Sequence, residues 1–213
     1  MKILIAIPCM DNVPYQFSES MLNMYKTPET RACFKANSLV YDSRNLLSLT
    51  AIENGFDRVL WIDSDMIVPY NTLRKLSDDM DVYGYDMVTG IYYKRTLPTE
   101  PVISRTLEPP TIEDGKPVRN ITPYNDYPAD RIFPVAACGF GCVMTSVDLL
   151  KRVWDKYQNA FLPFPWAGED YSFCYRVNLL GEQIYCDPSI QCGHVGTMIY
   201  SEKLFRKPEV KSE

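Results

Sequence analysis

The chain has 213 residues, 46% of them hydrophobic and 23% charged, with a formal net charge of −5. This length suits one sizeable core, and the composition is that of a globular domain, which excludes a disordered or fibrous chain. The acidic balance, with a sequence pI near 5.0, excludes the basic footprint of a nucleic-acid binder, so an anionic substrate needs a local cation to hold it.

Residues 3–7 form an unbroken aliphatic run closed by Pro8, which predicts a strand buried on both faces, as in a parallel sheet. The run is too short for a signal-peptide core, and no stretch approaches the roughly 18 apolar residues of a membrane helix. Residues 31–37 read as a second, shorter strand. Leu39, Val40, Leu46, Leu47 and Ala51 recur at helical spacing and predict a helix with Gly55 as its stop. Residues 58–62 predict an apolar strand running straight into Asp63-Ser64-Asp65, and residues 69–80 a helix with Pro69 near its start. Residues 86–90 and 91–94 are strand-like. This alternation predicts an α/β, Rossmann-like sandwich: a mostly parallel central sheet flanked by helices, with a small additional antiparallel region. In such sheets ligands bind beyond the carboxyl ends of the strands, where residues 8–12 and 63–65 both fall.

Residues 107–128 carry Pro109, Pro110, Pro117, Pro123 and Pro128 and read as a long loop or a meandering insertion. A strand is expected near 132–137, then the turn Cys138-Gly139-Phe140-Gly141-Cys142, a helix over 146–157, and a loop over 161–168. A helix opening at Glu169-Asp170 follows, then a strand at 183–186, a loop holding Gly193-His194-Val195-Gly196, and a frayed tail over 207–213. The cysteine count, seven, is odd and no CxxC pair occurs, which argues against a disulfide framework or a zinc cage and points to a reducing, cytoplasmic setting.

The strongest chemical signal is Asp63-Ser64-Asp65. Two carboxylates at one strand end repel unless a cation joins them, and oxygen ligands favour Mn²⁺ or Mg²⁺, ions that also bind substrate phosphates. The competing reading is a loop in which one aspartate caps the next helix. His194, the chain's single histidine, is either a structural residue or a third ligand whose flanking glycines let the backbone come close. Glu169-Asp170 is either a helix cap or a general base for an acceptor hydroxyl. Trp166 is either a sugar-stacking platform or a core anchor. Gly139-Phe140-Gly141 lacks the third glycine of a dinucleotide fingerprint and reads as a tight turn or a turn beside a sugar. Arg44 reads as a solvated helix residue, and Lys94 and Arg95 as a strand end that could face a diphosphate.

Taken in order, Ile5-Ala6-Ile7-Pro8, Asp42-Ser43-Arg44-Asn45, Leu60-Trp61-Ile62-Asp63-Ser64-Asp65-Met66, Ala137-Cys138-Gly139-Phe140-Gly141-Cys142, Gly168-Glu169-Asp170 and Gly193-His194 resemble the blocks of GT-A glycosyltransferases, in particular the small bacterial and phage members of the family 2-like group. The resemblance covers nearly the whole chain. It implies a single GT-A domain over 1–213, with a nucleotide-binding half over 1–105 and an acceptor-binding, catalytic half over 106–213. It also implies transfer of a sugar from a nucleotide-diphosphate donor, UDP-sugar favoured, to a hydroxyl on a glycan, lipid-linked or protein acceptor. Pro8 to Asp11 would hold the nucleoside, Arg44 would lie near the phosphates, and Asp63, Asp65 and His194 would hold Mn²⁺ or Mg²⁺ beside Ser64. Asp170, with Glu169 beside it, would be the base. Gly139, Gly141 and Trp166 complete the expected donor and acceptor contacts. The chain departs from the family after Pro8, where Cys9-Met10-Asp11-Asn12 stands, and it lacks the QxxRW-like motif of processive synthases. A sugar nucleotidyltransferase and a catalytically silent sugar-nucleotide or glycan-binding module are the alternative expectations.

Overall fold

The computed structural model describes residues 1–205; the expected tail at 207–213 lies outside them. The elements run β1 (Ile3–Pro8), α1 (Tyr15–Asn23), β2 (Thr30–Lys35), α2 (Val40–Glu53), β3 (Arg58–Ile62), β4 (Met66–Ile67), α3 (Thr72–Tyr83), β5 (Met87–Ile91), β6 (Ile103–Glu113), β7 (Lys116–Pro123), β8 (Phe133–Val135), β9 (Ala137–Cys138), β10 (Cys142–Ser146), α4 (Val147–Tyr157), α5 (Glu169–Asn178), β11 (Ile184–Gln191), β12 (Gly193–Val195), β13 (Ile199–Tyr200) and α6 (Glu202–Phe205).

Seven strands form the central sheet in the order β2-β1-β3-β10-β5-β11-β8. Side-chain alternation along the strands divides the core in two. Leu4, Ala6, Val59 and Trp61 face Leu47 and Ala51 of α2, Leu149 and Val153 of α4, and Phe173 and Val177 of α5. Ile3, Ile5, Ile7, Leu60 and Ile62 face Phe17 of α1 and Leu73, Leu76 and Met80 of α3. Both faces are covered, which is why β1 and β3 are continuous apolar runs. Each such side chain, fully buried, stabilises the fold by about 1.5–3 kcal/mol relative to exposure.

The sheet is mixed rather than mostly parallel. β1 pairs parallel with β2 and β3, and β11 with β5, whereas β10 runs antiparallel between β3 and β5, and β8 antiparallel to β11. The turn at residues 139–141 sends β10 back alongside β3, and Trp61 Nε1 fixes the register by donating to Thr145 Oγ1 at 3.0 Å. Ser146 then caps α4, its hydroxyl accepting from the Leu149 N–H at 3.0 Å, a cap of about 1 kcal/mol.

The proline-rich segment, expected as a long loop or a meandering insertion, is strand as far as Pro123. Residues 103–123 form the antiparallel hairpin β6–β7, joined at its base to β9. The segment around His194 is likewise a strand: β12 pairs antiparallel with β4, setting His194 opposite Met66. All seven cysteines are free thiols.

Candidate active site

The carboxyl ends of β1 and β3 open on a cleft of about 300 Å³ whose lining includes Pro8, Arg44, Asp63, Ser64, Asp65 and His194. Chain order explains the convergence. β3 ends at Ile62, and the chain turns at once into β4, with the Met66 N–H donating to the Asp63 carbonyl at 3.1 Å. Because β12 pairs with β4, the Val195 N–H donates to the Asp65 carbonyl at 2.8 Å, and His194 is carried to the acidic turn from far along the sequence.

The two aspartates have different partners. Asp63 Oδ1 accepts from Arg44 Nη2 at 2.9 Å; Arg44 is 2% exposed and also reaches Glu169 Oε1 at 3.4 Å. Its guanidinium lies 5.1 Å from the centre of the Phe140 ring and 5.9 Å from that of Phe161. Burial works against its charge, but Asp63 and Glu169 more than offset this and raise its pKa above the ordinary arginine value. Arg44 is therefore a buried clamp joining the two acidic motifs, not the solvated helix residue that its position suggested.

Asp65 Oδ2 faces Arg95 Nη1 at 2.9 Å and His194 Nε2 at 3.4 Å. Burial opposes its charge, yet the bond and charge of His194, with Arg95, hold its pKa below the ordinary aspartate value. The other ring nitrogen, Nδ1, lies 2.8 Å from the Tyr93 carbonyl oxygen. A carbonyl only accepts, so in neutral imidazole Nδ1 carries the hydrogen and Nε2 turns a lone pair toward a carboxylate. What joins the two is either a proton on Nε2, giving the imidazolium–carboxylate pair whose charge lowers the Asp65 pKa, or a metal ion in that proton's place. A ring nitrogen pinned to a backbone carbonyl is also the usual support of a metal-binding histidine.

Among the described residues no three His, Cys, Asp or Glu side chains come together as a metal cage. The expected trio of Asp63, Asp65 and His194 is thus reduced to Asp65 and His194, since Asp63 is engaged by Arg44. That pair fits a Mn²⁺ or Mg²⁺ ion drawing its remaining ligands from phosphate oxygens and water, the habit of such ions with nucleotide substrates.

The first turn of α5 borders two clefts. Glu169 lines the first, whereas Asp170 lines a second cleft of about 250 Å³ between the base of the hairpin and α5, together with Ser104 and Tyr171. Burial, then the charge of Glu169, pushes the Asp170 pKa up to about 7, against the bond that it accepts from the Tyr171 N–H at 2.7 Å. A carboxyl poised there at neutral pH suits a general base.

Several expected contacts fall elsewhere. Asp11 is exposed and lines neither cleft; Cys9 and Met10 occupy that edge instead. Gly139 and Gly141 make room for Tyr92 rather than for a ligand: an added Cβ would lie 1.9 Å from the Tyr92 hydroxyl at Gly139 and 2.8 Å from its ring at Gly141. Trp166 stacks on Phe164 at 5.5 Å and meets Tyr175 edge-on at 5.1 Å, so it anchors its own loop. Tyr92 was missed by sequence reasoning. It is 6% exposed at the cleft floor, its hydroxyl accepts from the Gly141 N–H at 3.2 Å, and burial followed by the charges of Asp63 and Asp170 raises its pKa well above the ordinary tyrosine value. The two glycines were the available signal, as a place where a bulky side chain presses on the backbone. Arg95 faces the first cleft, whereas Lys94 lines the second and pairs with Glu100 at 2.7 Å.

Among the described residues, no helix is long and apolar enough to cross a membrane. The sequence matches no protein-family model and no curated protein. Among solved structures it is similar to the crystal structure of A197 from STIV, with a TM-score of 0.68 and 19% identity over 92% of this chain and 86% of that one, a likeness of fold.

Proposed function

We propose that the chain is a metal-dependent GT-A glycosyltransferase that transfers a sugar from a nucleotide-diphosphate donor, UDP-sugar favoured, to a hydroxyl acceptor. The observation that carries this reading is the position of Glu169 and Asp170. These consecutive residues separate a cleft holding an acidic turn, His194 and Arg95 from a cleft whose one carboxylate has a pKa of about 7.

In this account the donor diphosphate lies in the first cleft, where Arg95 offers positive charge and Pro8 borders the nucleoside side. Asp65 and His194 would hold the cation, which would supply positive charge to neutralise the departing diphosphate. Asp170 accepts the proton of the acceptor hydroxyl as that oxygen attacks the anomeric carbon and the bond to the diphosphate breaks, giving inversion. Arg44 keeps Glu169 and Asp63 in place from the wall of the first cleft.

The arginine partners of both aspartates favour a second reading, a metal-independent site in which Arg95 alone carries the diphosphate charge. Transfer from UDP-sugars to simple glycoside acceptors, measured with Mn²⁺ and with a chelator, separates the two. The first reading expects transfer that the chelator abolishes, and the second expects transfer that survives it. No turnover of any nucleotide-sugar under either condition would leave a silent binding module.

A further inference from the structure

We propose that the second cleft is built for an acceptor that carries a negative group, a phosphate or a carboxylate, held by Arg119; this rests on the glycosyltransferase reading of Asp170. The hairpin makes the argument. On β7, Arg119, Ile121 and Pro123 share one face, and these three line the cleft. The alternate residues are engaged elsewhere: Asn120 donates to the Pro109 carbonyl at 2.9 Å, and Thr106 and Thr122 join through their hydroxyls at 3.0 Å.

The register also explains why Arg119 has no acid. Glu108 pairs with Asn120 and Thr111 with Val118, so the irregular stretch opposite Arg119 is Pro109-Pro110, which offers no charge. Arg119 is exposed, and no carboxylate among the described residues forms an ion pair with it. The cleft's other cation, Lys94, is taken by Glu100. In a chain with 27 acids to 22 bases, an arginine left unpaired on a cleft wall is a vacant anion contact. At about 250 Å³ the cleft is on the scale of one sugar ring, with Asp170 available to the reacting hydroxyl and Arg119 on the hairpin wall available to the anion.

The test compares three probes by calorimetric titration of the whole chain: methyl glucuronide, glucose 6-phosphate, and neutral methyl glucoside. The proposal expects at least one anionic probe to bind about tenfold more tightly than the neutral one. It also expects that preference to fall with added salt and to vanish in Arg119→Gln. The two anionic arms tell carboxylate from phosphate. Equal affinity for all three probes, or an anion preference that Arg119→Gln leaves intact, overturns it. UDP-sugar hydrolysis without acceptor, measured on the unaltered chain, keeps the two claims apart. Hydrolysis without an anion preference sinks the cleft proposal alone, whereas an Arg119-dependent preference without any turnover sinks the transferase reading alone.

Discussion

Asp63 and Asp65 stand two residues apart and serve different ends. Asp63 is tied to a buried arginine, and breaking a buried ion pair on one side costs about 3–5 kcal/mol, so its first role is to hold Arg44. Asp65 is tied to Arg95, whose side chain is about half exposed and free to leave. The proposed cation and Arg95 would compete for the same carboxylate oxygen. Arg95→Gln is therefore expected to tighten Mn²⁺ binding several-fold while weakening binding of UDP. Titration of each ligand separately checks this, and Mn²⁺ binding that is unchanged or weaker counts against the competition. Asp170 supplies a pH prediction. Its proton must be absent for base catalysis, so transfer should rise with pH through about 7 and level off above. Asp170→Asn should lower the rate by about 10²–10⁴-fold. The same shift has a stability sign. The folded chain keeps a proton that the unfolded chain loses above the ordinary value of 3.8, so this residue's contribution falls as pH rises from about 4 to about 7. Asp170→Asn should accordingly raise the Tm at pH 7.5 by a few degrees while it removes activity, an outcome that a purely structural aspartate would not give.

Among the elements, β5 and the turn before β10 are the most exacting. Tyr92 follows β5 and fits against Gly139 and Gly141 because neither has a side chain. Gly139→Ala should destabilise the chain by about 1–3 kcal/mol through overpacking and displace Tyr92 from the cleft floor; a urea titration reads the first effect. The elements that the sequence made legible are those where one physical signal dominates. β1 is apolar throughout, and β3 from Val59 onward, because both of their faces are covered. α2 forms where a helix was expected, but of the residues that predicted it Leu39, Val40 and Leu46 are exposed and only Leu47 and Ala51 are buried; it stops at Glu53, with Gly55 at φ +64° just beyond. The hairpin was not legible, since its residues are largely exposed and its prolines hide the alternation. Nor was α1, which buries only Phe17 and Ser20 and so lacks a sustained apolar stripe. The direction of β10 was hidden for another reason: a strand buried on both faces carries no mark of which way it runs. For the candidate site, the acidic turn and the Glu169-Asp170 pair could be read because each is local. The nearness of His194 to the acidic turn was expected only from the family resemblance, whereas the Arg44 clamp and the Tyr92 floor depend on residues brought together from distant parts of the chain.

For the molecule as a whole, a mixed sheet with helices on both sides places the ends of β1 and β3 at one edge, and the returning strand β12 closes that edge with a histidine. The net charge of −5 makes this edge depend on its few cations, so nucleotide binding should weaken as salt rises. At that edge the proposed function has Asp65 and His194 share a divalent ion with a nucleotide diphosphate. Calorimetric titration of UDP into the chain, with Mn²⁺ and with a chelator, tests it most directly. Saturable one-to-one binding at least tenfold tighter with Mn²⁺ is expected, and Asp65→Asn should lose that gain. UDP affinity that is the same with and without the metal, or no binding at all, would contradict it.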